Sequence, residues 1–145
     1  MTQPVSHAAP AYGVSVKDFG ACADGSQDDS PAIQAALDSG HDLVVIPYGV
    51  YRIGRTLRIG SRTRLEAHAR AHLILADHAG VDADTFLLTN RDHDDGNQKI
   101  RVEGGIWDGN NPGNPRGPDA PGSYTGVLIN FSNVEDLTLR DAESY

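Results

Sequence analysis

Short alternating segments separated by turn residues fill the chain from residue 43 onward, and this pattern excludes most fold classes. Within each segment apolar and polar residues alternate, which is the period of a half-buried β-strand. The sixteen glycines and eight prolines are too many for a helix bundle, because both residues break helices. Many short strands at close spacing predict a barrel, a sandwich or a β-solenoid. The predicted strands are Leu43–Pro47, Val50–Ile53, Thr56–Ile59, Thr63–Glu66, His72–Leu75, Phe86–Asn90, Ile100–Glu103, Gly105–Asp108, Val127–Phe131 and Leu137–Arg140.

A weak internal repeat favours the solenoid among these three folds. Leu65, Val102 and Leu139 occupy the centres of similar segments at intervals of 37 residues. A repeat of this length allows one solenoid coil that carries a sizeable loop. Hairpin-forming Asp-Gly or Asn-Gly pairs are scarce, with Asp95-Gly96 and Asp108-Gly109 the only examples after residue 40. An antiparallel sandwich needs more of them, so a parallel β-helix is the better prediction.

One amphipathic helix is predicted over residues 31–39, before the first of these strands. Ser30 suits the N-cap, and Pro31 suits the first helical position, where its missing N–H has no partner to lose. Asp28 and Asp29 lie beside the positive end of the helix dipole. The apolar face consists of Ile33, Ala36 and Leu37. A helix this short is unstable alone, so we expect it to cap the N-terminal end of the β-helix.

Charge, hydropathy and cysteine content exclude several kinds of partner and site. The net charge of −8 and the lack of a Lys/Arg cluster along the sequence argue against nucleic acid, whose binding depends on counterion release. No segment approaches the ~18 consecutive apolar residues of a membrane span, so no membrane contact is predicted. Cys22 is the only cysteine, which excludes an intrachain disulfide; we expect it to be half-buried.

The 145 residues are enough for one domain. Residues 1–12 are predicted to form a flexible N-terminal arm, and residues 13–145 to form the β-structured domain. The first residues contain neither a basic region nor an apolar core typical of a signal peptide. We therefore expect either a cytoplasmic protein or one whose secretion signal has been removed.

Three motifs resemble the pectate-lyase-like β-helix superfamily, which includes polygalacturonase-type glycoside hydrolases and phage tailspikes. The resemblance covers about residues 13–140 and implies a right-handed parallel β-helix. Hydrolases, lyases and non-enzymatic fibres share this fold, so it specifies no reaction. The first motif comprises Val14–Ala21, Asp24-Gly25, Asp28-Asp29 and Ala32–Asp38; the second is Val45-Ile46-Pro47 with Gly49-Val50-Tyr51; the third, similar to a polygalacturonase coil, is Val102–Asn110.

Similarity to the polygalacturonase group implies a glycoside hydrolase that acts on a pectin-like acidic polysaccharide or oligosaccharide. The Asn-Thr-Asp, Gly-His-Gly and Arg-Ile-Lys segments that carry catalysis in that group do not occur in this sequence. We therefore assign no catalytic residue and expect these to be the first coils of a longer enzyme, inactive alone. The alternatives are a non-catalytic, tailspike-like structural or carbohydrate-binding module and a polysaccharide lyase.

The segment 109–126 is the longest without a strand pattern, and such loops are usually functional or disordered. If it walls a sugar groove, Arg116 is predicted to pair with a uronate carboxylate, because guanidinium binds carboxylate bidentately. Tyr124 and the nearby Trp107 are predicted to stack on sugar rings. A mobile loop without a ligand is an equal alternative.

Two further predictions concern the polar loop 91–97 and the last strand. Asp92, Asp94 and Asp95 offer the oxygen ligands that Ca²⁺ prefers, but the EF-hand pattern is incomplete and a solvated loop explains them as well. No metal and no cofactor is therefore assigned. Strand Leu137–Arg140 has no capping element after it, and an open strand edge predicts self-association or low stability.

Overall fold

The computed structural model describes residues 13–118 and 120–145, which wind into a parallel β-helix with one α-helix. The predicted arm, residues 1–12, lies outside the described residues. Helix α1 spans Ser30–Leu37, and two 3-10 turns span Val16–Phe19 and Pro121–Ser123. The strands are β1 (Gly13–Ser15), β2 (Asp24–Asp28), β3 (Leu43–Ile46), β4 (Gly49–Ile53), β5 (Leu57–Ile59), β6 (Arg64–Ala67), β7 (Ala71–Leu75), β8 (Leu88–Asn90), β9 (Asn97–Glu103), β10 (Ile106–Asp108), β11 (Ile129–Asn130), β12 (Val134–Arg140) and β13 (Glu143–Ser144).

The described strands form three sheets, and every pair in them is parallel. The first sheet has the order β1-β3-β6-β9-β12, the second β2-β4-β7-β10-β13 and the third β5-β8-β11. One coil therefore passes through one strand of each sheet in turn. This confirms the predicted parallel β-helix, whereas a sandwich of antiparallel hairpins is excluded.

The 37-residue repeat coincides with the register of the first sheet. Leu65 pairs with Val102 on the next strand, and Val102 pairs with Leu139. Leu65 and Val102 are fully buried, so the same inward position recurs once per coil. Strand β2 has no strand pattern in its sequence, because Asp24–Asp28 is wholly polar except for Gly25. The segment is a strand because its backbone pairs with β4 at the edge of the second sheet, which overrides local propensity.

Helix α1 caps the N-terminal end of the core, as predicted. Ile33 and Ala36 are fully buried and Leu37 nearly so. The helix occupies Ser30–Leu37 rather than 31–39, with Asp29 at the N-cap position instead of Ser30. In the described part of the chain no helix has the length and apolar character to cross a membrane.

Asp29 does not cap the helix with its side chain but ties the preceding turn to the helix start. Its carboxylate accepts hydrogen bonds from the backbone N–H groups of Cys22 (2.8 Å) and Ala23 (2.9 Å). Asp29 is almost fully buried, and these bonds satisfy both of its oxygens. The Cys22 side chain is exposed, not half-buried as predicted, because the backbone faces the interior at this turn.

Asp28 supplies the capping interaction. Its Oδ1 accepts hydrogen bonds from the backbone N–H (2.9 Å) and hydroxyl (2.6 Å) of Ser30 and from the N–H of Gly54 (2.9 Å). Burial raises the pKa of Asp28, but these bonds to the charged form outweigh burial and hold the pKa below its ordinary value of 3.8. The ionised carboxylate therefore stabilises the junction between α1 and β4.

We predict that Asp28→Asn lowers the free energy of unfolding by about 1 kcal/mol at neutral pH, the usual cost of a lost cap. Because the folded pKa is depressed, this stabilisation is present above pH 3.8 and is lost as the pH falls through the folded pKa. Urea unfolding of both proteins, at neutral pH and at a series of acidic pH values that continues well below 3.8, measures the difference. Asp84→Asn, at an exposed loop position, is the control. An equal difference at all of these pH values would contradict the assignment.

The C-terminal end of the core is open in the described residues. Leu137 and Leu139 occupy inward positions of β12 but are 39% and 45% exposed, because no described strand covers them. An exposed strand edge with apolar side chains is prone to pair with another chain.

Self-association through this end stays a prediction. We expect the 145-residue chain to show concentration-dependent association in sedimentation velocity, and Leu139→Lys to reduce it. Val81→Lys replaces an exposed apolar side chain elsewhere and should leave association unchanged. A heat-resistant monomer at all concentrations would refute the prediction.

Candidate active site on the second sheet

The second sheet is bordered by two long connections that contain no α-helix. Residues 76–87 join β7 to β8, and residues 109–128 join β10 to β11. Both leave from the carboxyl ends of parallel strands, which meet at one edge of a sheet, where ligands of parallel sheets commonly bind. Both connections therefore lie at the carboxyl-terminal edge of the second sheet.

The outer face of the second sheet holds a paired histidine and aspartate. Strand β7 directs His72 outward between buried Ala71 and Leu73, and β10 directs Asp108 outward beside buried Trp107. His72 Nε2 lies 2.8 Å from Asp108 Oδ2, and both side chains are partly exposed. The other oxygen, Asp108 Oδ1, accepts the backbone N–H of Asn110 at 2.8 Å. The carboxylate is thus fixed and in turn orients the imidazole.

Tyr145 extends the same face by one coil. Its backbone N–H donates to the Trp107 carbonyl (3.0 Å), and its carbonyl accepts from the Gly109 N–H (2.9 Å). The Tyr145 hydroxyl donates to Glu143 Oε2 at 3.2 Å. This hydrogen bond and the negative charges of Glu143 and Asp108 raise the pKa of Tyr145, so the phenol keeps its proton and remains a donor.

The structure places Trp107 in the core rather than in a groove wall. The ring is fully buried, and its Nε1–H donates to the Gly104 carbonyl at 3.1 Å. A sugar cannot stack on a ring without an exposed face. The alternation of β10 explains the placement, because it directs Ile106 and Asp108 outward and Trp107 inward.

Tyr124 is also an interior residue. It is 3% exposed, and its ring packs directly on Gly80, where a Cβ would lie 2.8 Å from the ring carbons. Burial raises the pKa of Tyr124, an effect that the nearby Arg116 charge opposes. The ring fastens segment 109–128 to segment 76–87 and offers no face to a sugar.

Of the three predicted ligand contacts, Arg116 is the one exposed to solvent. Its side chain crosses directly over Gly126 and lines a crevice of about 440 Å³ together with Glu143 and Tyr145. The lining of this crevice also includes Leu139, an inward residue of β12, so the structure places Arg116 at the open C-terminal end of the core. Its pairing with a uronate stays a prediction.

The long segment is anchored through Asn114, which is 1% exposed. Its Nδ2 donates to the Ala76 carbonyl (3.0 Å), and its Oδ1 accepts the Gly80 N–H (2.7 Å). Both loops that border the second sheet are therefore joined by a buried amide, which fixes the wall of the site.

The polar loop 91–97 is organised by its own backbone. Asp92 Oδ1 accepts the N–H groups of Asp94 (3.0 Å) and Asp95 (2.9 Å), an arrangement typical of Asx turns. Among the described residues no three His, Cys, Asp or Glu side chains are grouped closely enough to hold a metal ion.

The pair of His72 and Asp108 was missed by sequence reasoning, which assigned Asp108 to a turn and gave His72 no role. Strand alternation in the sequence already indicates that both side chains point outward. The sequence does not indicate that they are close together, because they meet diagonally across neighbouring strands whose register pairs His72 with Ile106.

Comparison with known proteins places this fold in a family. Residues 13–107 match the family described as "Rhamnogalacturonase A/epimerase, pectate lyase-like". The pre-neck appendage protein of Bacillus phage phi29 is 29% identical over 133 residues, 92% of this chain and 16% of that protein. Mannuronan C5-epimerase AlgE1 of Azotobacter vinelandii is 52% identical over 44 residues, 28% of this chain and 3% of that protein.

A solved structure agrees with this assignment. The crystal structure of the pre-mature bacteriophage phi29 gene product 12 superposes with a TM-score of 0.79 at 30% identity, covering 92% of this chain and 17% of that one. The chain therefore spans less than a fifth of the length of these relatives.

We predict that Trp107→Phe lowers the free energy of unfolding by about 2 kcal/mol, because it removes buried volume and the bond to Gly104. Binding of oligouronates should be unchanged. Chemical denaturation and calorimetric titration measure the two effects, with exposed Tyr48→Phe as the control. A variant with unchanged stability and weaker oligouronate binding would contradict this prediction and support stacking of Trp107 on a sugar ring.

Proposed function

The chain belongs to the rhamnogalacturonase A/epimerase, pectate lyase-like family, and on this premise we propose that it forms the N-terminal coils of a protein that acts on an acidic polysaccharide by proton transfer. The observation that carries the proposal is the 2.8 Å contact between His72 and Asp108 on the outer face of the second sheet. A histidine oriented by a carboxylate is a common general base.

The arrangement suits removal of a proton next to a carboxylate. In a uronate, C5 lies α to the carboxylate, so its proton is the most acidic one on carbon. His72 would take that proton, Tyr145 would donate one, and Arg116 would neutralise the carboxylate. Return of a proton to the opposite face gives an epimer, and loss of the 4-linked sugar gives a cleaved product. The name of the related mannuronan C5-epimerase supports the first outcome.

Hydrolysis of a pectin-like polymer, the reaction implied by sequence resemblance, has less support in these coils. It requires an acid and a base carboxylate about 6.5–9.5 Å apart, each free to exchange a proton. Asp108 is instead occupied by His72 and the Asn110 amide. If the protein is a hydrolase, we expect its carboxylates on other coils.

A non-catalytic carbohydrate-binding or structural module is the second candidate. It is favoured by the similarity to a phage appendage protein over 92% of this chain. In that case the outer face would bind sugar without turnover.

The experiment compares the full-length protein with His72→Gln and with His41→Gln, an exposed histidine near the end of α1. Oligomannuronate and oligogalacturonate are incubated in D₂O; deuterium at C5 reports epimerisation, ultraviolet absorbance reports elimination and reducing ends report hydrolysis. We expect His72→Gln to slow deuterium incorporation or elimination at least 100-fold, the usual contribution of a general base, and His41→Gln to have no effect. Reducing ends without either signal would establish hydrolysis. Binding without any product would establish the second candidate.

A further inference from the structure

The outer face of the first sheet carries a groove separate from the His72 site. It has a volume of about 410 Å³ and crosses β3, β6, β9 and β12. Four basic side chains line it, against two carboxylates, in a chain whose net charge is −8. The basic residues are Arg62, Arg64, Lys99 and Arg101, and the carboxylates belong to Asp42 and Asp136.

The coil repeat assembles these cations from distant parts of the sequence. Arg64 pairs in register with Arg101, and Arg62 and Lys99 are separated by the same 37 residues. Neighbouring strands lie about 4.8 Å apart, so the cations form two short rows along the β-helix axis. This is the Lys/Arg cluster that is absent along the linear sequence.

Backbone geometry does not account for two of these residues. Arg62, Lys99 and Asp136 occupy the same position in successive coils, with φ of 57°, 58° and 62°. In this left-handed region Gly, Asn and Asp are favoured, and long side chains are not. Asp136 fits that preference. Arg and Lys at the other two positions point to a requirement for charge.

The cations are incompletely neutralised. Arg64 and Arg101 share Glu103, at 3.4 Å and 4.0 Å, and Arg64 also lies 4.0 Å from Glu66. Arg62 and Lys99, in contrast, lie within 4.0 Å of no carboxylate in the described part of the chain. Arg64 Nε is buried and has no hydrogen-bond partner among the described residues.

We propose that this groove is a second binding site, which takes the carboxylates of an acidic polysaccharide. The inference rests on the proposed function only for its class of ligand. Guanidinium groups bind carboxylates bidentately, and a polyuronate repeats one carboxylate per sugar, which suits cations repeated once per coil. Single-stranded nucleic acid fits less well, because the described lining has no aromatic side chain for stacking.

The first test removes charge from the groove of the full-length protein. We expect Lys99→Asn with Arg101→Gln to weaken calorimetric binding of an oligogalacturonate roughly tenfold. Asn is chosen because it tolerates the left-handed backbone at residue 99. Binding of the methyl-esterified, uncharged oligomer should stay as it is. Arg58→Gln, on the exposed face of the third sheet, should change neither affinity.

The second test uses a substitution that is expected to increase affinity, a result that misfolding cannot produce. Asp136→Asn removes a carboxylate from the groove while keeping a side chain that tolerates φ of 62°. We expect it to tighten oligogalacturonate binding about threefold, with a steeper dependence on salt.

Unchanged affinity in both groove variants would overturn the inference, as would tighter binding of single-stranded DNA through the same residues. His72→Gln separates this site from the proposed reaction. If the Lys99 and Arg101 variant binds more weakly and no protein shows turnover, the binding site in the groove is supported and the proposed reaction is rejected. If His72→Gln abolishes turnover while the groove variants bind normally, the proposed reaction is supported and the groove is rejected.

Discussion

The in-register stacking of parallel strands is the constraint on which the rest of this structure depends. Leu65 and Val102 meet at the same inward position because each coil must cover the apolar face of the one before it. A shift of one residue would turn every side chain to the other face. The register that closes the core therefore also fixes the outward side chains, and it alone brings Arg64 beside Arg101.

The features predicted from the sequence are those that depend on local period. The alternation of strands, the recurrence of Leu65 and Val102, and the apolar face of α1 are properties of short segments, and each was confirmed. Strand β2 was not predictable in this way, because its polar residues are held by backbone pairing at a sheet edge. The burial of Trp107 was predictable in principle, since strand alternation places its side chain on the opposite face of the strand from Asp108. Tyr124 was not, because an irregular segment has no period.

The candidate site depends on register between coils, which the sequence expresses poorly. In the first sheet Leu65 pairs with Val102, 37 residues later, whereas in the second sheet His72 pairs with Ile106, 34 residues later. The offset differs because the connections between strands differ in length. The contact between His72 and Asp108 is diagonal as well, so no single period predicts it.

Net charge carries little information about a local binding site for a related reason. Charges on exposed groups are screened beyond about 8 Å at physiological salt, so a chain of charge −8 does not repel an anion from every part of its surface. What acts on a bound carboxylate is the local set of groups, and around Lys99 that set is cationic. In a β-helix such a set needs only one basic residue per coil at equivalent positions. The outward residues at equivalent positions of successive coils, and not the net charge of the chain, therefore decide whether an anionic ligand can bind.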